Sequence, residues 1–243
     1  MNIKNHIPNL LTLCNMLAGI LSIYIGMQGD LVLASYLILI GAIFDFSDGF
    51  AARLLNAYSE MGKQLDSLAD LITFGVAPGF IVFSLISQSI ETNSLDFAYI
   101  LPFLGFMIPL FGALRLAKFN IDENQQTSFL GMPTPAVAIL IASFPLIKDY
   151  LYQDQGFVYS IITNTYFLLG VAITASLLMV IPLPMFALKF KSYGWKENKI
   201  IYSFLLVSLV LLLWLQFVAI PIIIGLYILL SVIVYLKDLQ SNI

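Results

Sequence analysis

Charge is scarce in this sequence. Of its 243 residues, 10% are Asp, Glu, Lys or Arg, where soluble domains carry roughly 25%. Disorder is excluded as well, because it needs low hydrophobicity and high net charge, and here 60% of residues are hydrophobic and the net charge is −3. With one histidine, His6, and one cysteine, Cys14, there is neither a His/Cys metal cage nor an internal disulfide. Neither end carries a basic tail suited to nucleic acid. What is present in excess is apolar surface, with a mean hydropathy of +0.95. Such a surface suits one solvent, the lipid bilayer.

The apolar runs predict an all-α integral membrane protein with about eight transmembrane helices, near 7–28, 31–55, 66–88, 96–117, 134–152, 158–183, 199–215 and 217–236, taking about 20 residues per crossing. The first run has no basic cluster before it and does not suit a cleavable signal peptide. The last two nearly touch, so a tight hairpin near Gln216 must join them. Cation placement tests the count. Lys4, Arg53, Lys63, Arg115, Lys118, Lys189, Lys191, Lys196, Lys199 and Lys237 all fall on the side of the N terminus, which is ten of the eleven cations. Only Lys148 falls on the other side. Both termini are therefore expected in the cytoplasm, and the Lys189–Lys199 loop reads as a positive-inside anchor. No internal repeat interrupts the pattern, so residues 1–243 read as a single membrane-embedded domain.

Four acids break the rule that ionisable groups stay out of spans. Asp45 and Asp48 close the second run, and Asp66 and Asp70 open the third. Spacings of i,i+3 and i,i+4 leave each pair within about 40–60° of azimuth on a helix. The 17 residues between Asp48 and Asp66 include Gly49, Arg53 and Gly62, so the chain can turn and face the pairs toward one another. Carboxylates gathered at a low-dielectric edge repel unless cations neutralise them. An all-oxygen site suits Mg²⁺, Mn²⁺ or Ca²⁺, and paired ions can clamp the oxygens of a phosphoryl displacement. Helix-end acids also occur simply as dipole partners, but four of them with Gly and Arg between favour the site.

The stretch Asp45-Phe-Ser-Asp48-Gly49-Phe-Ala-Ala52-Arg53, then Gly62, Asp66 and Asp70, resembles the signature of the CDP-alcohol phosphatidyltransferase family. All eight fixed positions are filled over 26 residues. The resemblance implies an enzyme that displaces CMP from a CDP-linked lipid with a second alcohol, using two divalent ions, Mg²⁺ or Mn²⁺. It implies that Asp45 and Asp66 bridge both ions, that Asp48 binds the first and that Asp70 binds the second and acts as general base. It further implies that Gly49, Ala52, Arg53 and Gly62 hold the CDP moiety, with Ser59 and Asn9 as additional contacts. A Pro8-Asn9 pair at a helix start also serves as an ordinary cap. Relatives are commonly homodimers, which makes a dimer the expectation.

Flanking words narrow the resemblance. Ser67-Leu-Ala-Asp70-Leu-Ile-Thr73-Phe74-Gly75-Val-Ala-Pro78 is similar to the bacterial phosphatidylserine synthase branch, as are Arg115-Leu-Ala-Lys118-Phe-Asn120 and Phe129-Leu-Gly131-Met-Pro133-Thr-Pro135. That branch implies CDP-diacylglycerol and L-serine as substrates and the inner membrane as location. Serine brings a carboxylate, and Arg115 and Lys118 lie on the same membrane side as the aspartates. They suit interfacial anchors equally. Asn120 suits a substrate contact or a bond within its own loop. Glycerol 3-phosphate or inositol phosphate stands as the alternative acceptor, although a phosphorylated acceptor would want more cations than these. A cation carrier is the rival from another class, and it would place acids near mid-bilayer in two related halves.

Overall fold

The computed structural model describes residues 6–90, 98–121, 129–185 and 198–241. Helix α1 covers His6–Met27 and α2 covers Leu31–Leu55. A rod follows, built of α3 (Glu60–Asp70), a π-helical segment (Leu71–Val76) and α4 (Ala77–Ile90). A 3₁₀ stretch (Ala98–Phe106) leads into α5 (Met107–Ile121). Next come β1 (Phe129–Leu130), α6 (Thr134–Tyr150), α7 (Phe157–Ile162), α8 (Thr165–Val180) and β2 (Pro184–Met185). Helix α9 (Lys199–Leu215) and α10 (Ala219–Ser241) close the described chain. The expected anchors Lys4, Lys189, Lys191 and Lys196 lie outside the described residues.

The all-α expectation holds, and the chain is a multi-pass membrane protein. Among the described residues five helical stretches are long and apolar enough to cross a bilayer: His6–Met27, Leu31–Leu55, Glu60–Ile90, Tyr99–Ile121 and Lys199–Leu236. The last joins α9 and α10, which break at Gln216, where φ is +50°. Helices α6 and α8 are shorter, at 17 and 16 residues. Of the eight expected runs, the five stretches account for those near 7–28, 31–55, 66–88 and 96–117 and, as one stretch, the last two. The runs near 134–152 and 158–183 hold only shorter helices, so eight full crossings are not established among the described residues. Two boundaries also differ from expectation. The third helix starts at Glu60, ahead of residue 66, because Ser59 caps it. The sixth run divides at Asn164, whose side chain accepts from the N–H groups of Tyr166 and Phe167 at 2.9 and 3.1 Å. That is an ordinary N-cap inside what reads as an uninterrupted apolar run.

The rod lies at the centre. Phe74, Ala77, Ile81, Val82, Leu85 and Ile86 on it are buried in one core with Ile108 of α5 and Val137, Ala138 and Ile141 of α6. Leu213 and Trp214 of α9 are 77% and 79% exposed, as lipid-facing residues should be. Two glycines allow α1 and α2 to press onto the π segment. A Cβ at Gly19 would stand 2.7 Å from the Thr73 Cα, and one at Gly41 would stand 2.5 Å from Thr73 Cγ2. Neither position has room for a side chain.

One end of the bundle gathers several helix termini. Asn56, at φ +48°, turns the chain after α2, and its N–H donates to the carbonyls of Ala52 and Arg53. The α3 start meets the α5 end, since Lys63 Nζ donates to the Asn120 carbonyl at 3.3 Å. β1 pairs antiparallel with β2, and the Met132 N–H donates to the Leu178 carbonyl at 2.9 Å. These ties bring the α6 start and the α8 end to one place.

Candidate active site

The close of α2 and the start of the rod meet at that end. Asp45, Asp48 and Asp66 each offer a carboxylate oxygen, and these oxygens lie within 4.8 Å of one another. Asp70 follows Asp66 by one helical turn on the rod, and its carboxyl lies close enough to those of Asp45 and Asp66 to interact with them. Asp48 and Asp70 are buried, at 6% and 9% exposure, while Asp45 and Asp66 are half-buried. The π-helical segment begins immediately after Asp70, and such bulges frequently mark functional positions.

Helix α1 completes the floor of the cluster. Thr12 Oγ1 donates to Asp48 Oδ2 at 2.6 Å. One turn on, Asn15 Nδ2 donates to Asp70 Oδ1 at 3.4 Å. Thr73, from the π segment, donates to the Asn15 carbonyl at 2.9 Å. Sequence reasoning gave none of the three a role of its own, although Thr12 and Thr73 stand in stretches that resemble the family. A usable signal existed for two of them, because Thr12 and Asn15 are polar residues inside an apolar span. Thr73 offered none, since only the bulge brings it to α1.

A cavity of about 540 Å³ adjoins the carboxylates. Asn9, Gly49, Ala52, Ser59 and Gly62 line it together with Asp48, Asp66 and Thr12. Five of the six expected CDP contacts therefore share one space. Ser59 also caps α3, its Oγ accepting from the Gly62 N–H at 3.0 Å. A Cβ at Gly62 would stand 3.1 Å from Asn9 Oδ1, so a side chain there would crowd the wall. Arg53 differs: it is exposed and is not among the lining residues. Five residues past Asp48 is about 140° around a helix, which turns it from the face that carries the acids. Tyr58, Lys63 and Pro8 line the cavity without having been expected there.

A second cavity, of about 510 Å³, is lined by Arg115, Lys118, Phe119, Ile121, Leu130, Met179, Val180 and Pro182. Arg115 is half-buried, and Asp70 is the carboxylate that acts on its charge. Its Nε is buried without a hydrogen-bond partner. Lys118 is exposed at the rim. Asn120 turns inward to the protein, its Nδ2 donating to Ser67 Oγ at 2.9 Å.

The sequence profile of the CDP-alcohol phosphatidyltransferase family matches residues 5–181, the greater part of the chain and all of both cavities except Pro182. The chain belongs to this family. It is similar to the CDP-diacylglycerol–serine O-phosphatidyltransferase of Helicobacter pylori strain 26695, with 32% identity over 231 residues that cover 94% of this chain and 90% of that protein. The protein of the same name from Bacillus subtilis is 40% identical over 146 residues, 58% of this chain and 76% of its own. An archaetidylserine synthase of Methanothermobacter thermautotrophicus is 36% identical over 154 residues, 63% of each chain.

The phosphatidyltransferase offers a donor set that fits the divalent ions of its family. Its clustered acids are all hard oxygen ligands, and no histidine or cysteine stands among them. Several carboxylate oxygens within 4.8 Å of one another would repel without a shared cation.

Proposed function

We propose that this phosphatidyltransferase transfers the phosphatidyl group of CDP-diacylglycerol to the hydroxyl of L-serine, giving phosphatidylserine and CMP. The observation that carries the reading is a cavity walled by Asp48 and Asp66 of the carboxylate cluster, with a second cavity at the end of α5. One is lined by the signature residues, and the other by Arg115 and Lys118. The similarity to serine-transferring relatives over nearly the whole chain supports the acceptor.

Asp45, Asp48, Asp66 and Asp70 would hold two ions, Mg²⁺ or Mn²⁺. When bound, such ions polarise a diphosphate and neutralise charge on a leaving phosphate. The protein residues do the rest. Asn9, Gly49, Ala52, Ser59 and Gly62 seat the CDP moiety, while Arg53 stands exposed and does not line that seat. Arg115 holds the serine carboxylate, with Lys118 at the rim, and so aims the hydroxyl at the lipid-linked phosphorus. Asp70 takes the hydroxyl proton as the serine oxygen bonds to that phosphorus. The bond from phosphorus to the CMP oxygen breaks, and CMP leaves with the electron pair. Acyl chains remain in the bilayer, which accounts for a site at the edge of the spans.

Residues 1–243 act as one catalytic membrane unit in this reading. The unit works in the inner membrane as a homodimer, with both termini and the site facing the cytoplasm. The cation bias supports that orientation. The test uses the purified protein with CDP-diacylglycerol vesicles and labelled serine, glycerol 3-phosphate or inositol phosphate. Labelled phosphatidylserine is expected, with no lipid product from the phosphorylated alcohols. Product from glycerol 3-phosphate and none from serine would replace the acceptor and leave the reaction class in place.

A further inference from the structure

Two side chains of α1 reach acids on two other helices. Thr12 Oγ1 lies 2.6 Å from Asp48 Oδ2 and 3.1 Å from the Pro8 carbonyl. A hydroxyl has one proton, and the shorter bond to a carboxylate takes it. Asn15 lies one turn further on, fully buried, with its Nδ2 donating to Asp70 Oδ1 at 3.4 Å. Its amide orientation is fixed by chemistry, because a flip would set Oδ1 against the carboxylate, acceptor against acceptor. In the orientation that serves Asp70, Asn15 Oδ1 is buried with no partner. Leaving a buried acceptor unmade is costly, and an apolar residue would fill this space without that cost. Packing alone therefore does not account for an asparagine here.

The location is also held rigidly. Thr73 Oγ1 donates to the Asn15 carbonyl at 2.9 Å. A Cβ at Gly41 would come within 3.0 Å of Asn15 Oδ1. The π segment, α1 and α2 thus close around the Asn15 side chain, which leaves its amide little freedom to leave Asp70.

We infer that α1 presets the carboxylate cluster: Thr12 and Asn15 are positioning residues that hold Asp48 and Asp70 in the orientation that receives the divalent ions. The inference rests on the reading of the four aspartates as metal ligands. Each contact consumes one carboxylate lone pair and leaves the rest for the ion. Outer partners of this type orient ligands, and their loss typically lowers metal affinity or activity about 10- to 100-fold.

The experiment measures Mn²⁺ binding to the detergent-solubilised full chain by electron paramagnetic resonance, alongside thermal unfolding without metal. Thr12→Val keeps shape and removes the hydroxyl, and Asn15→Leu removes both the donor and the orphaned acceptor. Each is expected to weaken Mn²⁺ binding about 10- to 100-fold, with the metal-free unfolding temperature of Asn15→Leu equal to wild type or higher. Thr12→Ser, which keeps the hydroxyl, should bind as wild type does. Should Asn15→Leu fail to accumulate, the Thr12 pair carries the test alone. Wild-type Mn²⁺ affinity in Thr12→Val and Asn15→Leu, with Asp45→Asn deficient, overturns the positioning role and spares the metal site. If Asp45→Asn also binds Mn²⁺ normally, the metal reading falls and this inference with it.

Discussion

Asn120 and Ser67 tie the two halves of the site together. The Asn120 amide donates to Ser67 Oγ at 2.9 Å, which fixes the end of α5 that carries Arg115 and Lys118 to the helix that carries Asp66 and Asp70. In the proposed reaction, the group that would grip the acceptor and the group that would take its proton are thereby held in one frame. Small displacements in such a frame can cost about 10²-fold in rate.

That link predicts a selective defect. Ser67→Ala removes a part-buried bond worth about 0.5–1.5 kcal/mol. Steady-state kinetics should show the KM for serine raised roughly 2- to 10-fold and the KM for CDP-diacylglycerol unchanged. An equal rise in both constants would assign Ser67 to general stability.

Asp70 separates from the purely ligating acids in a second experiment. Asp70→Asn should lose turnover and still bind CDP-diacylglycerol, measured by retention of labelled lipid. Asp70→Glu keeps a carboxylate but displaces it, and a loss of about 10²-fold is expected. An unchanged chemical step in Asp70→Asn would remove Asp70 from the role of base.

Much of this site is legible in the sequence, and the reasons for the gaps are specific. The i,i+3 and i,i+4 spacings fix which face each aspartate pair shares, because helix periodicity is local information. The same arithmetic, applied to Arg53, would have turned it away from Asp48. Its planar charge, which suits a phosphate, and the resemblance both group it with the nucleotide contacts instead. The π segment has no compositional mark, so the meeting of Thr73 with Asn15 depends on tertiary packing. Thr12 and Asn15 were visible as polar residues in an apolar run, but their partners lie 36 and 55 residues away. Asn164 is a standard cap signal that the surrounding apolar residues concealed.

Packing at the base of the cluster gives a third prediction. Gly19→Ala sets a methyl group 2.7 Å from the Thr73 Cα, so α1 and the rod must separate. Overpacking of this kind costs about 1–3 kcal/mol. Thermal unfolding in detergent should show a lowered midpoint, while Gly170→Ala, which meets nothing within 4 Å, should show none of that loss.

The acceptor grip is read from Arg115. Arg115→Ala should raise the KM for serine roughly 10- to 150-fold, the equivalent of about 1.5–3 kcal/mol for a charge-assisted contact. Arg115→Lys should recover only part, since a point charge lacks the bidentate fork. Serine amide should be a poor acceptor for the wild type and lose little more in Arg115→Ala. An unchanged serine KM in Arg115→Ala would return Arg115 to an anchor and turn attention to Lys118 and Lys63.

The central claim is that the aspartate cluster drives a metal-dependent displacement of CMP by serine. Its most direct measurement is CMP release from CDP-diacylglycerol vesicles on addition of serine, with Mg²⁺ or Mn²⁺ or with chelator, for wild type and Asp66→Asn inserted at equal levels. Release is predicted only for the wild type, and only when serine and a divalent ion are both present. Serine-dependent release that persists in chelator, or that Asp66→Asn sustains at the wild-type rate, would contradict the account.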